Sequence, residues 1–363
     1  MGPKRDFHGA AGDDPAHRTA RQLQVNIAVV ARWLGTLQDP QFADVGQHFQ
    51  ARCAQGGFQV ALDPDLTCTA SYCSFSLRKD QSGFVNTITY GQLAAKNPVR
   101  LFNAAIHEPL HGLQKQNAAA LHASPFNAVN GNTIIICPRD WLLLEERCEQ
   151  DAYAKQAWMN ALLARHVQKA WDSGKNGPLS AREFQSCRDV CGDDLVAGLR
   201  LAAAKALHKS YWYNNENSPY RFANYVQDCA LRNYRAAMKL RLGDGETGFV
   251  FVRVRPEHVH ALGQSFGPNV FGDNPKDPSL LQQTAMSDSA AESDEAMGTS
   301  YGLSTAALFD QLQQDLGIRD DSALPYLDEA LAQRGLSMEQ YIHQTSVPAL
   351  AVQSNLPPAI TGP

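Results

Sequence analysis

The chain has 363 residues, 44% of them hydrophobic and 19% charged, with a formal net charge of −5. That length supports one large domain or two smaller ones. The mild negative charge, with no Lys/Arg run or basic stripe, excludes an electrostatic nucleic-acid binder. No apolar stretch approaches the ~20 residues of a membrane helix.

Residues 1–17 are polar, rich in Gly, Asp and Pro, and are expected to be disordered. They lack the apolar core of a secretory signal, which predicts a cytoplasmic protein, or an effector exported without a signal. On that expectation the eight cysteines are reduced, mostly buried thiols. Cys187 and Cys191 lie one helical turn apart, but no second Cys or His pair stands near them at metal-ligand spacing.

Val25, Ile27, Val29, Val30, Trp33 and Leu34 mark a helix over 19–37, and a second is predicted over 40–54. Alternating stretches rich in Val, Phe, Tyr and Thr predict strands at 57–62, 71–77 and 84–90. Asp63-Pro64-Asp65 and Asp80-Gln81-Ser82-Gly83 are their turns. A helix over 98–121 has Phe102, Ile106, Leu110 and Leu113 on its apolar face, and His107, His111 and Gln114 on the adjoining one. Asn130-Gly131 is a turn signal, followed by a short apolar strand at 133–137. Pro138 suits the first turn of a long helix reaching about 171.

Further helices are predicted over 180–211 and 218–242, with a late strand at 248–254. Residues 264–302 read as a flexible acidic linker, most plainly in the Ser/Ala/Asp/Glu-rich run at 287–299. Amphipathic segments at 305–315, 323–333 and 338–344 make 303–346 a small helical C-terminal segment that offers a surface to a partner protein. Residues 347–363 are expected to be a disordered tail. The main domain is then 18–263, and a chain ending near Gly263 is expected to fold alone.

The chemistry rests on His107-Glu108-Pro109-Leu110-His111. Residues four apart on a helix share one face, so two imidazoles can grip one metal ion from the same side. Glu108, about 100° round the helix, stands beside the water that such an ion would hold. Pro109 interrupts the pattern, because proline inside a helix removes an N–H and crowds the carbonyl of residue i−4, at a cost of ~3 kcal/mol or more. Either the helix is kinked at the site or the motif is degenerate.

A catalytic zinc site needs a third protein ligand. Gln114 and Asn117 occupy the positions where the His-Glu-x-x-His-x-x-Gly-x-x-His class needs Gly and His, which excludes that class. The long helix downstream offers Glu145, Glu146 and Glu149. Here, over about residues 84–170, the chain resembles the bacterial and phage-borne metallopeptidase domains that follow His-Glu-x-x-His with a Glu-Ala-Asp-Ala-like helix. Glu149-Gln150-Asp151-Ala152 matches that run with Gln for Ala.

The resemblance implies a mainly helical α+β fold with a zincin-like metallopeptidase core and a small sheet. It implies Zn²⁺ held by His107, His111 and Glu149, with Glu145 and Asp151 as supporting or alternative ligands and Glu108 as general base. It also implies a protein or peptide substrate aligned on an edge strand, for which 84–90 is the candidate. Tyr211-Trp212-Tyr213, with His208 and Arg221, fits packing better than a transition-state donor, and His258 and His260 read as a structural pair. The rival reading is a non-enzymatic helical interaction protein whose motif is coincidental or inactive and whose C-terminal helices bind a partner.

Overall fold

Two helices with almost no exposed side chains carry both halves of the motif. In the computed structural model, residues 15–37, 40–54, 59–62, 70–76, 83–91, 97–117, 126–129, 132–164, 166, 180–212, 234, 235, 238, 249–268, 270 and 305–345 are described. Among them the protein is mainly helical, with two small sheets. Helices α1 (Pro15–Leu34) and α2 (Pro40–Ala54) precede strands β1 (Gln59–Leu62), β2 (Ala70–Ser76) and β3 (Gly83–Tyr90). The motif helix α3 (Pro98–Asn117) follows, then β4 (Phe126–Val129), β5 (Asn132–Ile136) and the longest helix, α4 (Pro138–Leu163). Helices α5 (Ala181–Cys191) and α6 (Leu195–Trp212), strand β6 (Phe249–Val252) and helix α7 (Pro256–Leu262) come next. The chain closes with α8 (Thr305–Asp315), α9 (Leu327–Ala332) and α10 (Met338–Thr345).

Local chemistry sets the starts of the central helices. The Asn97 side chain accepts from the Val99 and Arg100 amides at 3.0 and 3.2 Å. Pro98 stands where a missing N–H costs nothing. Pro138 does the same for α4 after the extended Cys137, whose amide donates to the Val252 carbonyl at 2.8 Å and so ties the helix start to β6. The predicted 180–211 helix is in fact two. Gly192, at φ 62°, ends α5, and Asp194 begins α6 by accepting from the Ala197 amide at 3.0 Å.

The first sheet has the order β1-β3-β2, with β1 parallel and β2 antiparallel to β3. The expectation that 84–90 is an edge strand is therefore wrong: β3 is central and both its edges are paired. Pattern alone cannot reveal this, because alternation reports which face is buried and says nothing of strand order. The second sheet has the order β4-β5-β6. Val129 pairs with Asn132 across the Asn130-Gly131 step, and β5 runs parallel to β6.

Two apolar cores share α4. The first gathers Leu23, Ile27, Val30 and Leu34 of α1, Phe42, Val45 and Phe49 of α2, and Ile106 and Leu110 of α3. It takes in Ala152, Trp158 and Leu163 from the C-terminal half of α4. The second gathers Ile134–Ile136 of β5, Leu142, Leu144 and Cys148 from the N-terminal half of α4, Val252, Val259 and Leu262. Leu312, Leu327, Leu331 and Tyr341 of the C-terminal helices belong to this second core.

The segment expected to stand apart is thus built into the body. The Arg253 amide donates to the Pro325 carbonyl at 2.9 Å, and the Leu327 amide to the Arg253 carbonyl at 2.7 Å. Arg139 pairs with Asp321 at 2.5 Å, and Arg255 with Asp328 and Glu329 at 2.9 and 2.6 Å. Nor does the expected linker begin directly after Gly263, since Ser265 and Val270 are buried. The run 287–299, the tail at 347–363 and most of the predicted 218–242 helix lie outside the described residues.

Candidate metal centre

Every residue from Leu101 to Gly112 is buried, and the helix runs unbroken through Pro109. Proline gives no N–H to the Ala105 carbonyl; burial of Ala105, Ile106 and Leu110 on all sides supplies the packing that offsets that cost. His107 and His111 keep their i, i+4 relation, with ring centroids 4.7 Å apart and planes at 85°. Glu149 comes from α4 at the point where the helix passes from one core to the other.

The three ligand atoms form a small triangle. His107 Nε2 and His111 Nε2 are 3.1 Å apart. Glu149 sets Oε2 3.2 Å from His107 and Oε1 3.3 Å from His111. Two nitrogen or oxygen ligands at ~2.0–2.1 Å from one tetrahedral ion lie ~3.3–3.4 Å apart. The triangle is therefore of the size that one ion spans. Among the described residues these three alone form such a group.

Hydrogen bonding on the far sides of the rings decides what faces inward. His107 Nδ1 is 3.0 Å from Gln156 Oε1, and His111 Nδ1 is 2.8 Å from Gln114 Oε1. An amide oxygen can only accept, so with these amide orientations each Nδ1 carries a proton, and each ring in its neutral form turns its Nε2 lone pair to the centre. Two lone pairs and a carboxylate then converge within 3.3 Å. That arrangement repels itself unless a cation sits among them, and a metal ion fits the requirement. Glu149 completes the group with a carboxylate. It is also partly exposed, whereas the two histidines are buried.

Glu108 is 5% exposed on α3 between the two histidines. Glu145, one turn before Glu149, is partly exposed and lies outside the ligand group. Asp151 is fully buried and turned to other partners. Its Oδ2 accepts from the Ser265 amide at 2.8 Å, the Ser265 hydroxyl at 2.6 Å and Gln114 Nε2 at 3.2 Å, while Lys155 Nζ lies 2.9 Å from Oδ1. It reaches Gln114 and lies outside the group that could hold a metal.

Several residues of the site had no distinct signal in the sequence. Gln156 lies two turns after Glu149, on the same face, and reaches His107; the helical period alone marked it. Tyr153 lays its ring 4.4 Å from that of His107. Gly263 and Ser265 arrive from beyond α7, more than a hundred residues away in sequence. A Cβ on Gly263 would meet the Arg147 Cβ at 2.9 Å, so only glycine lets this segment close on α4. Cys187 is buried within the first core and Cys191 is half-buried; neither joins a metal-holding group among the described residues. His258 is half-buried on α7. The side chains of His208, Tyr211, Trp212 and His260, and residues Tyr213 and Arg221, lie outside the description. No helix among the described residues is long and apolar enough to cross a membrane. No family model, curated protein or solved structure matches the chain.

Proposed function

We propose that the protein is a zinc-dependent metallopeptidase of the glutamate-zincin type. The observation that carries the reading is the convergence of two imidazole Nε2 atoms and one carboxylate at tetrahedral-ligand spacing, with Glu108 between the two histidines in sequence. Three N/N/O ligands are the donor set of a hydrolytic zinc site, which keeps its fourth position for water. When bound, zinc supplies an acidified water, with a pKa near 7, and a Lewis acid for the scissile carbonyl.

The chain's own residues do the rest. His107 and His111 hold the ion through Nε2, oriented by Gln156 and Gln114. Glu149 adds the charge that favours a dication. Glu108 takes the proton from the attacking water and delivers it to the leaving amine, so its burial keeps the carboxylate from bulk water during transfer. A peptide is aligned by backbone pairing along a sheet edge. With β3 central, the edge nearest the motif is β2, which packs on α3 and has one unpaired side among the described residues.

The test separates base from ligand. Glu108→Gln should abolish peptide hydrolysis by purified protein while zinc stays near one per chain by elemental analysis. If that variant keeps full activity, or loses its zinc, the role given to Glu108 is wrong.

A further inference from the structure

Both histidines lean on glutamines, and the two glutamines are held differently. Gln156 lies on α4, the helix of Glu149. Gln114 lies on α3 with His111 and ties it to two other parts of the chain. Its Nε2 donates to the Cys148 carbonyl at 2.9 Å, the Gly263 carbonyl at 2.9 Å and Asp151 Oδ2 at 3.2 Å. All three are acceptors. Turning the amide over would aim its oxygen at two carbonyls and a carboxylate, and would leave a fully buried N–H₂ facing His111. The orientation of this amide is therefore fixed by its surroundings.

We infer that Gln114 is a positioning residue for His111. It holds the imidazole in the Nδ1–H form and aims Nε2 at the metal, as an anchor shared by α3, α4 and the segment after α7. Asp151 completes the anchor: Ser265 donates to it twice, Lys155 pairs with it, and the Lys155 ammonium also donates to the Phe266 carbonyl. The metal ligand is thus locked by a segment 149 residues away from Gln114 in sequence, which the motif itself does not include. The partner of His111 is a neutral amide and the carboxylate stands one residue further out. An amide accepts the Nδ1 proton without drawing it off, so the ring stays a neutral ligand. The inference rests on the metal site proposed above and names a residue outside its ligand set.

The test uses full-length protein, zinc and cobalt(II). Zinc affinity is measured by competition with a chromophoric chelator for wild type and Gln114→Met, which keeps the side-chain volume and removes both polar ends. Affinity should fall about 10- to 100-fold, with the cobalt absorption bands shifted and the far-ultraviolet circular dichroism unchanged. In zinc-loaded wild type, long-range proton–nitrogen NMR should place the His111 proton on Nδ1 as a slowly exchanging downfield signal, and Gln114→Met should lose its protection. This readout does not depend on how well the variant folds, because the wild-type signal alone reports the ring form. Zinc binding by Gln114→Met equal to wild type, with the same cobalt spectrum, would overturn the inference and leave the metal site standing. So would a His111 proton found on Nε2 in the zinc-loaded wild type. Failure of wild type to bind either metal would instead overturn the site itself.

Discussion

The two halves of α4 make an instructive pair. The half from Ala152 to Leu163 packs with α1, α2 and α3 in a core whose helices announce themselves by period. The half from Trp141 to Cys148 packs with β5, β6, α7 and the C-terminal helices, in a core whose parts carry no mark of one another in the sequence. Glu149 stands where one gives way to the other. The helical period therefore delivers His107, Glu108 and His111, whereas the carboxylate that completes the site borders the core that the sequence does not announce. The chemistry is local in sequence and its support is not.

The sharpest way to break the comparison is to remove the distant half. Deleting 305–345 would remove Leu312, Leu327, Leu331 and Tyr341 from the core they share with Ile134, Ile136, Val252 and Val254. A chain ending near Gly263 should therefore unfold at a much lower temperature, or fail to fold, and lose zinc with it. A truncated protein that melts like full-length protein would show that the second core is dispensable. The predicted loss of stability is the reverse of what the sequence leads one to expect.

A smaller break lies at the seam. Asp151 and Lys155 are both fully buried and ion-paired. Removing one partner leaves a buried charge, so Asp151→Ala or Lys155→Ala should cost about 3–5 kcal/mol in denaturant unfolding, and the double change less than the sum. Additive losses would mean the pair is not coupled. Leu331→Ala, a cavity in the second core alone, should cost about 2–5 kcal/mol, measured the same way, with zinc affinity of the folded fraction kept. Coupled loss of zinc affinity would show that the two cores communicate more tightly than the packing implies. Smallest of all is Glu145→Gln. With Glu145 outside the ligand group, zinc affinity should hardly change, whereas Glu149→Gln should weaken it severely; the reverse order would move the ligand one turn back.

Legibility followed the same divide. The helical period of Leu23, Ile27, Val30 and Leu34, the prolines before α3 and α4, and the His-Glu-x-x-His spacing are short-range facts, and the elements they foretold are present. The Glu cluster on α4 left three candidates open, because spacing along a helix cannot say which turn faces α3. Packing around Gly263 and Arg147 brings α7 against this stretch of α4. Strand order was illegible in the same way: 84–90 alternates whether central or at an edge. The C-terminal segment read as an appendage because its amphipathic faces are apolar on one side only, and nothing in that pattern names β6 as their cover. Its docking depends on the Arg253 backbone reaching Pro325 and Leu327, a pairing without side-chain signature. The sequence placed Gln114 on the face of the two histidines and let it disqualify another motif, but did not show that it joins three segments.

The claim on which the rest depends is that His107, His111 and Glu149 hold one metal ion, and X-ray absorption at the zinc edge on purified full-length protein tests it most directly. The account predicts about one zinc per chain, surrounded by nitrogen and oxygen neighbours only at ~2.0–2.1 Å, with two imidazole signatures that fall to one in His111→Ala. A spectrum dominated by sulfur at ~2.3 Å, or protein prepared without chelator that carries no zinc and takes up none, would contradict it.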